Sequence, residues 1–302
     1  MKQRTLNNYL REKFGQKIYK ISIDGGFTCP NRDGTLGNRG CIFCSAGGSG
    51  DFAEDRNLSV TEQIERGKNR VEAKMPKNLE GIKNGSHHKY IAYFQAFTNT
   101  YASIERLRAL YIEAIDHPDI VAISIGTRPD CLSKDVIELL GELNQIKPVW
   151  VELGLQTIHE KSADYIRRGY PLSVYDSAVS KLRSHDIEVI THVILGIPGE
   201  TKEDVLNTVR YVGESGVQGI KLQLLHVLRG TDLAEDYNKG LFKCMSMDEY
   251  IELVAACLEN LPEDIVIHRM TGDGPKSILI APEWSGDKKR VLNALNKRLS
   301  NI

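Results

Sequence analysis

From about residue 18 onward, short apolar runs alternate with longer segments of helical period, and no other feature of this chain limits its fold so tightly. The pattern places strands near 18–24, 89–96, 120–127, 148–155, 188–197, 219–228 and 264–269. Helices fall between them, over 60–75, 103–115, 133–145, 159–168 with 172–184, 201–214 and 246–260. This order is that of repeated βα units and a parallel sheet. The two faces of each strand differ. Val149, Val151, Leu153 and Leu155 alternate with Trp150, Glu152, Gly154 and, just beyond, Gln156. Val189, Thr191, Val193 and Leu195 alternate with Ile190, His192, Ile194 and Gly196, as do Ile220, Leu222 and Leu224 with Lys221, Gln223 and Leu225. A sheet covered by helices on both faces would read as continuous apolar runs. One apolar face under helices and one face on an interior cavity gives the alternation seen. The expected fold is therefore α/β, a curved, partial (βα)6-type barrel with a polar lumen and its site at the C-terminal strand ends.

Several helix starts carry capping boxes, in which a hydroxyl and a carboxyl three residues on satisfy the first turn's orphan amides: Ser59 with Glu62, Thr201 with Asp204, and Ser246 with Glu249. The segment 76–88 has turn formers and no periodicity, so it reads as an exposed loop. The barrel is expected over 18–262, after a basic N-terminal extension, 1–17, and before a C-terminal extension, 263–302, that closes the barrel mouth and ends in a basic helix. No apolar run approaches the ~20 residues needed to span a bilayer, and the first residues lack the apolar centre of a signal peptide, so a cytoplasmic protein is expected. The net charge of −1 hides basic ends: Lys2, Arg4, Arg11, Lys13, Lys17 and Lys20, and Lys288, Lys289, Arg290, Lys297 and Arg298. Brought together they would make a phosphate-binding patch; apart, they are ordinary solvated surface.

Three of the six cysteines fall in sixteen residues, Cys29, Cys41 and Cys44, spaced C-x11-C-x2-C directly after the first strand. Cys131, Cys244 and Cys257 are scattered, which is not a secreted disulfide framework. The glycines and asparagines between Cys29 and Cys44 make a loop, which disfavours simple buried cysteines. A structural zinc would need a distant fourth ligand, Cys131 or a histidine. An iron–sulfur cubane held by three cysteines leaves one iron open for an external ligand, and the aromatic Phe43 just before the last cysteine fits that reading.

On CPNRDGTLGNRGCIFC (29–44), QAFTNTY (95–101), GTRPD (126–130), ELGLQT (152–157) and HVILGIPGET (192–201), the chain resembles a radical S-adenosylmethionine (SAM) enzyme. The long cysteine spacing resembles that of relatives of the catalytic subunit of Elongator. The resemblance covers about residues 15 to 280 and implies a 4Fe–4S cluster on Cys29, Cys41 and Cys44, with SAM as second cofactor. It places Phe43 beside that site and Thr98 and Asn99 at the SAM amino group, although the usual paired glycines are absent there. It implies SAM contacts at Gln156 and Arg168, the latter pairing the methionyl carboxylate, a ribose contact at His192, and adenine packing at Gly196 and Ile197. The alternation points Tyr93, Ser124, Glu152, Lys221 and Gln223 into the lumen as candidate substrate contacts, with Arg269, Asp273 and Lys276 as further candidates near the mouth.

With no second C-x2-C group, an auxiliary cluster is not expected, and no G-x-S-x-G or H-E-x-x-H motif supports a hydrolase. The chain is also expected to lack the acetyltransferase domain that follows the radical domain in the Elongator subunit. The resemblance, with the late DGPK segment (273–276), implies maturation of the wobble uridine of tRNA from 5-carboxymethylaminomethyl to 5-aminomethyl. It also implies a flavodoxin- or ferredoxin-like electron donor, and the basic ends would hold the anticodon region. Two alternatives stand beside it: a radical SAM enzyme acting on a small molecule such as a porphyrin precursor, and a non-catalytic zinc-dependent RNA-binding module.

Overall fold

A computed structural model describes residues 4–73, 88–272 and 274–300 of the chain. The loop expected at 76–88 lies almost wholly outside them, as does Asp273. Seven parallel strands form one sheet: β1 (Ile18–Ile23), β2 (Lys89–Phe94), β3 (Ile120–Thr127), β4 (Val149–Gln156), β5 (Glu188–Leu195), β6 (Gly219–Leu224) and β8 (Val266–Arg269), ordered as in the sequence. The two outer strands do not pair with each other, so the barrel is partial. Helices α2 (Val60–Glu72), α3 (Ile104–Asp116), α4 (Lys134–Asn144), α5 (Glu160–Tyr165), α6 (Leu172–Arg183), α7 (Lys202–Glu214) and α9 (Met247–Glu259) follow the strands. The three expected capping boxes start α2, α7 and α9. Val149, Val151, Leu153 and Leu155 join the large core between sheet and helices, whereas Trp150 and Ile190 belong to a separate cluster inside the barrel.

The lumen is layered, and its lower layer corrects the expectation of a polar interior throughout. Ile18, Ile91, Ala122, Trp150 and Ile190 fill the N-terminal end of the barrel with Leu10 of α1 (Leu6–Phe14). Helix α1 thus supplies a plug, and Tyr9 packs 6.0 Å from the Trp150 ring. Three basic residues around it are engaged there: Lys13 with Glu188, Arg4 with Glu12, and Lys17 over the Tyr19 ring. The other basic helix, α10 (Lys288–Leu299), packs on α9 and starts beside Leu224 and Thr271 at the opposite, C-terminal end of the strands. The two basic ends therefore do not combine into one patch; the apolar face of α1 is worth more under the barrel than its charges are at the surface.

The expected strand 219–228 is broken in two. β6 stops at Leu224, and Val227–Leu228 turn away as β7, which pairs antiparallel with β9 (Leu279–Ala281). Short α8 (Asp232–Asn238) follows β7. β9 of this pair follows Gly272, Gly274 and Pro275, which line the central cavity at the barrel mouth.

Candidate active site

A cavity of about 400 Å³ runs from the cysteine loop at the C-terminal strand ends down to the charged middle layer of the lumen. At its mouth the loop after β1 is folded by its own turns: Arg32 and Asp33 donate amides to Cys29 O at 2.8 and 3.2 Å, and Cys44 N donates to Cys41 O at 3.0 Å. Gly40 has φ +75°, and a Cβ there would meet Arg32 Nε at 2.9 Å, so both conformation and space call for glycine. Ile42 ties the loop to the barrel, packing with Ile166, Ile194 and Ile197 and exchanging backbone bonds with Ile166 and Leu233. Cys29, Cys41, Cys44 and Phe43 all line the cavity. Asn31 donates to Cys41 Sγ at 3.4 Å and to Arg167 O at 2.7 Å. Burial pushes the Cys41 thiol up to about 12, and burial likewise raises that of Cys44 against the opposing charge of Arg32.

The spacing of these sulfurs separates the metal readings. Three thiolates on one tetrahedral zinc lie about 3.8 Å apart, given Zn–S bonds near 2.3 Å. Ligand atoms of three His, Cys, Asp or Glu residues that all lie within 4.8 Å of one another occur among the described residues only at Glu65, His117 and Asp119. The three cysteine sulfurs do not form such a group, so they are not gathered as ligands of one zinc are; a cubane takes its three thiolates on separate irons. Lys68 already bridges the Glu65 and Asp119 carboxylates at 2.8 and 2.7 Å, so that other group is a satisfied ion-pair cluster.

Beside the cysteines, β4 ends in a bulge in its pairing with β5, and Gln156 takes φ +70°. Its Oε1 is buried without a hydrogen-bond partner among the described residues, and the side chain lines the cavity. A buried acceptor left open at a cavity wall is what a ligand amine would complete, so the residues fit SAM as well as the cluster. Thr98 and His192 line the same space.

Among the other expected SAM contacts, Arg168 lines the cavity, whereas Asn99, Gly196 and Ile197 do not. Arg168 is 2% exposed, and its guanidinium is already spent on Glu160, Thr157 O and Tyr170 O. It fixes the turn after α5, paired with the exposed carboxylate of Glu160. Asn99 does not line the cavity; its side-chain amide and backbone amide both donate to Gly126 O, tying the β2 end to the β3 end. Gly196 and Ile197 lie behind the wall, where Ile197 joins the second apolar cluster and Gly196, at φ +90°, leaves room for Met245; Ile194 lines the cavity instead. Arg128, in the GTRPD motif, is the arginine the sequence reading passed over. It lines the cavity near Cys29 and Cys41, holds Asp130 through two bonds of 2.9 and 2.7 Å, and stacks 5.2 Å from the Tyr170 ring.

At the floor, Glu152 gathers the middle layer. Its Oε1 accepts from Lys20 and Ser124, both at 2.7 Å. Its Oε2 accepts from His192 at 2.8 Å and from Lys221. Burial alone would raise this carboxyl, but Lys20 and Lys221 hold it well below the usual range. Burial pulls Lys221 down to about 7 despite Glu152, and pulls His192 down to about 4. Tyr93 completes the layer, its ring 4.9 Å from Lys20 Nζ and 4.5 Å from Lys221 Nζ. Gln223 and Arg269 line the cavity above it, Gln223 donating to His192 Nδ1 at 3.1 Å. Lys276 is exposed and outside the lining. Lys20 was grouped with the terminal charges; its parity with Ile18 and Ser22 on β1 was the signal that it faces inward.

Comparison with known proteins agrees with this geometry. Residues 34–212 match the family model of the Radical SAM superfamily, and residues 217–301 match that of the Radical_SAM C-terminal domain. The boundary falls before β6, although β6 continues the same sheet. YtqA of Bacillus subtilis is 48% identical over 98% of this chain and 89% of its own length. A tRNA uridine(34) acetyltransferase of Methanocaldococcus jannaschii is 27% identical over 58% of this chain, a match that spans 32% of that protein. Among solved structures, Elp3 of Methanocaldococcus infernus superposes with a TM-score of 0.67 at 18% identity, covering 93% of this chain and 63% of that one. With three cysteines lining the mouth of a parallel half-barrel, and the family model spanning most of that barrel, the chain belongs to the radical SAM superfamily and is an enzyme that uses a 4Fe–4S cluster and SAM.

Proposed function

We propose that this enzyme matures the wobble uridine of tRNA, converting a 5-carboxymethylaminomethyl side chain, with or without 2-thiolation, to 5-aminomethyl. The observation that carries the reading is the single cavity joining the cysteine mouth to a buried cationic floor. A nucleotide extruded from an RNA loop can send a thin charged arm down such a channel. Similarity to a tRNA uridine(34) acetyltransferase supports the choice of nucleotide.

In this reading Cys29, Cys41 and Cys44 hold the cluster, and Phe43, Thr98, Gln156, His192 and Ile194 surround SAM. Together those groups supply a 5′-deoxyadenosyl radical when bound. The chain's own residues orient and shield: Trp150 and α1 close the lumen below, Gly272, Gly274 and Pro275 border it above, and both keep stray hydrogen donors away. A flavodoxin- or ferredoxin-like protein delivers the electron, in a reducing, cytoplasmic setting. Exposed Lys289 and Arg290, at the start of α10 on the mouth side, contact the RNA backbone.

The test is deletion of the gene followed by mass-spectrometric profiling of tRNA nucleosides. The expected result is loss of aminomethyl-derived wobble uridines and accumulation of the carboxymethylaminomethyl form; an unchanged profile removes the reading. Salt-sensitive binding of tRNA to the purified holoenzyme separates it from the small-molecule alternative.

A further inference from the structure

The charges of the cavity do not balance at its floor. Arg128 and Arg168 each hold a carboxylate of their own, Asp130 and Glu160. Arg32 donates to the carbonyls of Cys44 and Ser45. Deeper in, Lys20, Lys221 and Arg269 have Glu152 as their one carboxylate among the described residues. The four bonds from Lys20, Ser124, His192 and Lys221 saturate both oxygens of that carboxylate. Arg269 lines the cavity, only partly exposed, with no hydrogen bond or ion pair among the described residues. It sits directly across from Lys221 in the pairing of β6 with β8.

Uncompensated cations in a closed lumen are costly. Among the described residues the remaining lining offers them no anion, because its other acid, Asp51, accepts from Ser45 beside the cysteine loop. A planar two-oxygen anion matches what is open: the guanidinium fork of Arg269 with the Lys221 ammonium beside it.

We propose that Arg269 and Lys221 form a carboxylate receptor at the lumen floor and that this receptor selects the enzyme's substrate by a terminal carboxylate. The proposal deepens the tRNA reading, and rests on it for the source of the carboxylate, the glycine-derived arm of the wobble uridine. A free small carboxylic acid would use the same receptor. Glu152 and Lys20 are positioning residues: Glu152 holds Lys221 in place, and Lys20 bonds the other oxygen of Glu152 and helps keep that carboxyl ionised. The groups facing Lys221 are Lys20, Tyr93, Ser124, Glu152, His192, His268 and Arg269, and an added anion among them favours the ammonium. Binding is therefore accompanied by proton uptake near neutral pH.

The experiment uses reconstituted holoenzyme with SAM and measures calorimetric binding of two anticodon stem-loops. One carries 5-carboxymethylaminomethyluridine and the other its neutral carboxamide. The wild type is expected to prefer the carboxylate by roughly ten- to hundred-fold, as for a charge-assisted bond. Arg269→Gln abolishes the preference, Arg269→Lys restores part of it, and Lys221→Met removes the proton uptake seen by comparing buffers at pH 7.5. Unchanged circular dichroism and SAM binding confirm that the variants fold. Equal binding of the two stem-loops while the enzyme still converts tRNA overturns the receptor and leaves the tRNA reading intact. Failure to bind or convert either stem-loop, with Arg269-dependent binding of free N-alkylglycines, overturns the tRNA reading and supports the receptor with a small acid as substrate. Carboxylate binding that Arg269→Gln does not weaken overturns the receptor.

Discussion

The mouth and the floor of the cavity are built by different means. At the floor, Lys20, Tyr93, Ser124, Glu152, His192 and Lys221 come from six successive strands, and register alone aims them at one another. At the mouth, Cys29, Cys41 and Cys44 sit on irregular backbone whose shape depends on Gly40 at φ +75°, on Ile42 packed into the second cluster, and on Asn31 reaching Arg167 O. The floor is a stability problem, a set of buried charges that must neutralise one another. The mouth is a conformational problem, a loop that must present three thiols to one cavity. Changes at the two ends should therefore separate in what they damage.

The largest expected effect is at the mouth. A Cys41→Ala, Cys44→Ala double variant is expected to fall from about four irons per chain to background after anaerobic reconstitution and to lose SAM cleavage. Its urea midpoint should stay near that of the unreconstituted wild type, because these half-buried side chains contribute little to the core. A large loss of stability would break the comparison. At the floor, Glu152→Ala leaves two buried ammoniums without a counter-charge and should cost about 3–5 kcal/mol, read by urea unfolding. Glu152→Gln should cost less, and both should retain iron whenever they fold.

Next in size is a pH effect confined to the floor. The Lys221 ammonium titrates at about 7 in the folded protein against 10.5 for the free side chain. Between those values the unfolded chain holds a proton that the folded one lacks, so this group makes stability rise with pH. The gain is complete above the unfolded value and lost as pH falls through the folded one. Its slope is at most about 1.4 kcal/mol per pH unit. Lys221→Met should flatten the stability profile between about pH 7 and 9; an identical profile in the variant would show that Lys221 keeps its proton throughout. The smallest effect returns to the mouth. Gly40→Ala, forced into a left-handed conformation against Arg32, should cost about 1–2 kcal/mol. Its iron content should fall by a larger fraction than its stability, which compares iron per folded chain with the urea midpoint.

Much of the floor was legible in the chain. Period-two alternation put Glu152, Lys221, Tyr93, Gln223 and Ser124 on the inner face, and the capping boxes at Ser59, Thr201 and Ser246 marked three helix starts. Lys20 was missed although its parity was right, because a basic N-terminal stretch reads first as surface charge. Less of the mouth could be read. Spacing singled out the three cysteines and Phe43, but not the bond from Arg168, which lines the cavity, to Glu160 eight residues earlier. Asn99, Gly196 and Ile197 were assigned to the cavity because they sit at strand ends, where the exact direction of each side chain depends on bulges and turns such as that at Gln156.

What the amino-acid sequence determined by itself is local and periodic: strands with one greasy face, helices with their caps, and a glycine-rich loop carrying three thiols. Those properties depend on neighbours within a few residues, where backbone sterics and side-chain period act directly. Only the tertiary structure decided which charge meets which. Lys20 finds Glu152 across 132 residues and Lys221 finds it across 69, while the two basic ends part to opposite ends of the barrel. The reason is that an ion pair is chosen by distance and burial, and neither exists until the sheet has curled and closed the lumen around them.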